Sequence, residues 1–132
     1  MKRSLAVAGA LGLGSTKAFA ASTQSVLVFD AMGEIREVYD PDLLQEMIDS
    51  GINAITKTMC DPKTFELEAM DVAMEGIRSF DAWIAANPRQ VVKATSVADL
   101  DRAQRENKIA VLYLIQNSTP FGKNLDRVDT FY

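Results

Sequence analysis

The sequence predicts an α/β fold built on a parallel sheet, and three observations carry that prediction. Apolar runs of strand length alternate with amphipathic helical stretches from Ser25 onward. The strand candidates are continuously apolar, Ile109 to Ile115 (IAVLYLI) most of all, which is the pattern of strands covered on both faces. An eight-stranded barrel takes about 250 residues, whereas residues 21–132 supply 112. The expected architecture is the N-terminal part of a TIM-like (β/α)8 barrel, incomplete in this chain.

The first twenty residues read differently from the rest. Lys2 and Arg3 precede an apolar run, Leu5 to Gly14, that is too short to span a bilayer. Ala18-Phe19-Ala20 then has the small-x-small form of a cleavage site. Residues 1–20 are therefore expected to be an export signal cut after Ala20. Residues 21–132 are expected to form one domain, periplasmic or extracellular, with no transmembrane span. A membrane anchor fits the short, glycine-bearing run less well.

Charge and composition exclude several functions. The whole chain has 14 basic and 18 acidic residues. Taking away Lys2, Arg3 and Lys17 leaves 11 against 18, a net charge of −7. Nucleic acid, whose phosphates demand a basic face, is not an expected partner. Cys60 is the only cysteine, so no disulfide forms within the chain, and a small buried residue is the expected role. No histidine is present, which rules out a Ser-His-Asp triad, a Cys-His pair or a histidine-rich zinc site within these residues.

The elements follow in order. Val26-Leu27-Val28-Phe29 is a short buried-type strand, ending in Asp30-Ala31-Met32-Gly33-Glu34. A carboxylate at such a strand end sits at the mouth of a barrel, where chemistry is done; Asp30 is equally readable as the cap of a turn. Asp40-Pro41-Asp42 starts a helix whose apolar face is Leu43, Leu44, Met47 and Ile48, with Gly51 as its stop. Ile52 to Met59 is strand-like. A long helix from about Thr64 to Ala86 carries Phe65, Ala69, Val72, Ala73, Gly76, Phe80 and Ile84 on one stripe. Met70, Met74 and Trp83 lie beside that stripe as core filler. Gln90 to Thr95 is a further strand, and Ser96 with Asp99 opens a capped helix running to about Asn107. Ile109 to Ile115 ends in Gln116-Asn117-Ser118-Thr119, and Leu125 and Val128 begin another helix.

Two stretches resemble the membrane (renal) dipeptidase family of metallopeptidases. Phe29-Asp30-Ala31-Met32-Gly33-Glu34 resembles that family's first strand end, which carries Asp-x-His-x-Asp. The block ATSVADLDRAQRENKIAVLYLIQNSTPFGKNLDRVDTFY, residues 94–132, resembles the stretch where a helix with a short basic tail leads to a buried strand ending in Ile/Val-Glu-Gly. A Leu-x-x-Leu/Val-x-x-Phe/Leu-Tyr helix follows there, matched by Leu125, Val128, Phe131 and Tyr132. The resemblance covers essentially all of residues 21–132, the front part of a family domain.

The resemblance implies a metal-dependent hydrolase barrel with two zinc ions at the strand C-termini, acting on dipeptides or related small amides. Position by position, Asp30 falls on the first Asp, Met32 on the histidine ligand and Glu34 on the second Asp. Gln116 falls on the bridging Glu, with Asn117 beside it at the mouth. A thioether and a neutral amide are poor substitutes for imidazole and carboxylate, so Glu34 is the one visible position that keeps a ligand type. Two functions therefore stay open: a hydrolase of small peptide-like substrates, and a non-catalytic relative that binds a small polar ligand or a partner protein. A homo-oligomer and a completing C-terminal segment are both compatible with the pattern.

Overall fold

The computed structural model describes residues 26–61, 63–64 and 68–131. The expected export segment, Phe65 and Tyr132 lie outside the described residues. Four parallel strands form one sheet: β1 (Phe29–Asp30), β2 (Ala54–Thr58), β3 (Val91–Lys93) and β4 (Ile109–Leu114). Three helices connect them, α1 (Pro41–Asp49), α2 (Glu68–Ala86) and α3 (Val97–Arg105). Two 3₁₀ segments follow, Thr119–Phe121 and Leu125–Phe131. The parallel α/β expectation is met throughout.

Local chemistry sets the helix ends. The Asp40 carboxylate accepts the Leu43 N–H at 2.9 Å, and Pro41 occupies the first turn, where a missing N–H costs nothing. Gly51 closes that helix at φ +91°, a conformation that penalises any side chain. In α3 the Ser96 hydroxyl and the Asp99 carboxylate cap each other's backbone N–H groups, completing the capping box. Asn107, at φ +53°, supplies the left-handed residue after this helix.

The strand order is β1-β2-β4-β3. A barrel taken strictly in sequence would place β3 between β2 and β4. Here β4 lies in the middle, pairing Ala110–Leu114 with β2 and Ile109–Val111 with β3. The crossover from β3 to β4 thus runs backwards relative to the other two. Right-handed crossovers then require α3 to cover the opposite face from α1 and α2.

The core has this arrangement. Ile55, Val91, Ile109 and Val111 face α1 and α2, meeting Leu44, Ile48 and the fully buried Phe80. On the other face Ala54, Ala94 and Ala110 meet Ala103 of α3, flanked by Val92, Leu100 and Leu112. Four alanines let α3 lie close to the sheet. A third cluster, Cys60, Ala69 and Ala73, packs under Phe131. Cys60 is buried, as expected, and burial pushes its thiol pKa up, away from reactivity.

Three expectations need correction. β1 pairs only through Phe29–Asp30, and Val26 is 80% exposed, because β1 has a strand on one side only among the described residues. Val72 of the α2 stripe is exposed rather than buried. The segment starting at Leu125 is a 3₁₀ helix, with Leu125 79% exposed. An amphipathic α-helix draws most of its stability from packing its apolar face, and Leu125 is left largely in solvent.

Gly76 marks a close approach of α2 to the end of β2: a Cβ there would press on the backbone carbonyl of Met59. Gly76→Ala gains about 1 kcal/mol of helix propensity but must push two backbones apart. We expect a net loss of about 1–3 kcal/mol, read as a lower denaturant midpoint at unchanged slope; a stabilised variant would show that α2 is free to move.

Candidate functional site

The C-terminal ends of the parallel strands bring the sequence-predicted residues to one edge of the sheet. Asp30 ends β1 and turns back on itself: its Oδ1 accepts the N–H groups of Met32 at 3.2 Å and Gly33 at 2.6 Å. A Cβ at Gly33 would collide with this carboxylate, so the glycine is what lets the turn close. Thr56 fastens the loop from below, donating to the Gly33 carbonyl at 2.8 Å. Of the two readings of Asp30, the turn is the one with hydrogen bonds. Met32 stands out from this loop at 94% exposure.

Glu34 is held by cations. Its carboxylate lies 3.4 Å from Lys57 Nζ and 3.8 Å from Arg36. The Lys57 side chain is only 14% exposed, reaches Glu37 at 3.8 Å and lies 5.4 Å from the Phe80 ring centroid. Gln116 takes a different partner, donating from Nε2 to Thr58 Oγ1 at 3.4 Å. Asn117 Oδ1 accepts the Thr119 N–H at 3.0 Å, stabilising the turn into the first 3₁₀ segment.

Lys57 and Thr58 are consecutive residues of β2, so their side chains leave opposite faces of the sheet. Glu34 therefore follows Lys57 to the α2 face, while Gln116 follows Thr58 to the other. The structure brings Asp30, Met32 and Gly33 into one turn but directs Glu34 and Gln116 apart. Among the described residues no group of three or more His, Cys, Asp or Glu could hold a metal ion. The donor set agrees with that: a solvent-exposed thioether, a neutral amide and a carboxylate already neutralised by lysine and arginine. The described residues do not fit a zinc pair.

The parallel α/β fold matches part of the fold of larger solved structures. Solved structures similar to this chain include an amidohydrolase from Pseudomonas aeruginosa, with TM-score 0.64 and 23% identity. Another is the probable dipeptidase PvdM from the same organism, with TM-score 0.63 and 19% identity. Each likeness covers 80% of this chain but only 30% and 32% of those chains, so the protein spans about a third of their length. No protein-family model matches the chain, and no curated protein does. The likeness is one of fold, and it agrees with the resemblance seen in the sequence.

A second polar constellation, not anticipated from the sequence, lies on the α2 face. Tyr113 of β4 donates its hydroxyl to Asp81 of α2. Lys93 of β3 reaches both oxygens of the same carboxylate, at 2.9 and 3.1 Å, and sits 4.4 Å from the Tyr113 ring centroid. Burial by itself would raise the Asp81 pKa, but the hydrogen bonds from Tyr113 and Lys93 and the lysine charge outweigh it and hold the pKa low. Burial, then the hydrogen bond to Asp81, pushes the Tyr113 phenol far above its ordinary range. The signal was available: a lysine and a tyrosine inside apolar strands need a partner when the sheet is covered.

Tyr113 keeps its proton in the folded state to higher pH than in the unfolded chain, whose phenol ionises near about 10. The stability it contributes is complete below that value and is lost as pH rises above it. Denaturation followed between pH 8 and 11 should show stability falling above about pH 10, with a shallower fall in Tyr113→Phe. Equal slopes in both proteins would mean that the phenol titrates normally.

Proposed function

We propose that this chain forms part of a dipeptidase-like hydrolase barrel in an exported protein, acting on short peptides or related small amides. The observation that carries the reading is the likeness, over 80% of the chain, to structures described as an amidohydrolase and a probable dipeptidase. It is supported by the dipeptidase-like order of residues 29–34 and 94–132. At the strand ends the Thr58 hydroxyl and the Gln116 amide are groups of the kind that orient a peptide group. Zinc is the cofactor such barrels imply, but the described residues do not fit it.

A second reading has an observation of its own. Met32 and Gln116 stand at ligand positions without ligand chemistry, and Glu34 is committed to Lys57 and Arg36. These substitutions favour a non-catalytic relative that binds a small polar ligand or a partner protein.

Zinc content per chain, measured beside a dipeptide hydrolysis assay on the intact protein, separates the readings. We expect fewer than two tightly bound zinc ions and weak hydrolysis. The combined change Met32→His, Glu34→Asp and Gln116→Glu should raise zinc occupancy, at some cost in stability from new polar groups at a packed strand end. Two tightly held ions with brisk hydrolysis in the unmodified protein would overturn the matching of Met32, Glu34 and Gln116 to ligand positions. Undiminished peptide binding without any turnover would establish the non-catalytic reading instead.

A further inference from the structure

On the α2 face of the sheet, opposite the side to which Gln116 turns, lies a cleft of about 530 Å³. That volume falls within the range of about 300–1,000 Å³ typical of small-molecule sites. Its walls are apolar and adaptable: Met59 and Ile115 beyond the ends of β2 and β4, Met74 and Ile77 from α2, and Phe131 from the second 3₁₀ segment. Methionine side chains fill irregular space and accept varied apolar shapes. Polar groups gather at the end formed by Lys93, Thr95 and Tyr113.

We propose that this cleft is a binding site for a small uncharged molecule that joins one amide group to an apolar side group. The polar end defines the class. Lys93 has three N–H donors, of which the two Asp81 contacts use at most two, leaving one for a ligand carbonyl. Thr95 donates its hydroxyl proton to Asp99 at 3.3 Å, so its oxygen stays available to accept a ligand N–H. A donor and an acceptor lining the same cleft are the two groups that an amide carbonyl and N–H require. The charge of Lys93 is matched by Asp81, so a carboxylate on the ligand meets no net positive charge here and gains little over a neutral carbonyl. The site is also preorganised: Asp81 fixes Lys93 and Tyr113 before any ligand arrives, which lowers the ordering cost of binding. The inference stands apart from the proposed hydrolase, because the cleft and Gln116 are on opposite faces.

The test is a titration of the intact protein with N-acetyl-leucinamide, followed by the methyl NMR signals of Met59 and Met74. Saturable shifts of both methyls are expected. Thr130 lies on the rim, exposed, so Thr130→Trp should block entry without disturbing the core and weaken binding at least about tenfold. Lys93→Met, which keeps the apolar stem and removes the donor, should do the same. N-acetyl-leucine, the free acid, should bind no tighter than the amide. Absence of shifts at millimolar ligand, whether the cleft is empty or covered by another segment, overturns the proposal. So does unchanged affinity in Thr130→Trp, which keeps the test decisive if Lys93→Met fails to fold. An acid that binds about tenfold tighter would overturn the assigned ligand class.

Discussion

The sheet and its two helical layers are organised around β4. Ile109–Leu114 is hydrogen-bonded on both edges, to β2 over Ala110–Leu114 and to β3 over Ile109–Val111. It is also covered on both faces, by α2 through Ile109 and Val111 and by α3 through Ala110. Over Ile109–Val111, the buried half of the strand, the backbone is satisfied by its neighbours and the side chains by packing. Its alternation then divides the side chains: Ile109, Val111 and Tyr113 toward α1 and α2, Ala110 and Leu112 toward α3. The out-of-sequence position of β3 is what permits that double cover. It turns one crossover back on the others and so brings a helix to the second face.

The same constraint governs the site. Strand ends in a parallel sheet collect polar groups at one edge, but alternation decides which face each group serves. Lys57 and Thr58 are neighbours in sequence and belong to different environments. One anchors Glu34 beneath the β1 loop, and the other receives Gln116. Asp30 spends its carboxylate on the loop's own amides. The carboxylates that a bridged metal pair would draw on are engaged in turn formation and ion pairing, and these bonds hold the mouth together. A barrel scaffold hosts many chemistries, and the scaffold alone does not fix one.

Much of this was legible in the sequence, for identifiable reasons. The Asp40-Pro41 start, the Ser96–Asp99 box and the Gly51 stop are local devices whose hydrogen bonds span a few residues, so pattern is enough to find them. The apolar IAVLYLI run announced a strand covered on both faces. Strand order was not legible, because nothing in Val91-Val92-Lys93 specifies which edge of β4 it joins. The exposure of Val26 and the 3₁₀ form of the segment from Leu125 depend on what packs against them, which periodicity does not encode. The Asp81–Tyr113–Lys93 constellation joins α2, β4 and β3, residues 32 and 12 positions apart, and only the sheet order brings them together.

β4 separates β2 from β3 in the sheet. Cross-strand nuclear Overhauser contacts in isotope-labelled protein measure this directly. The backbone around Val111 should show contacts to both Ile55 and Lys93, with none between residues 54–58 and residues 91–93. Contacts running straight from β2 to β3, with β4 at the outer edge, would contradict the account, because α3 would then lose its place on the second face of the sheet.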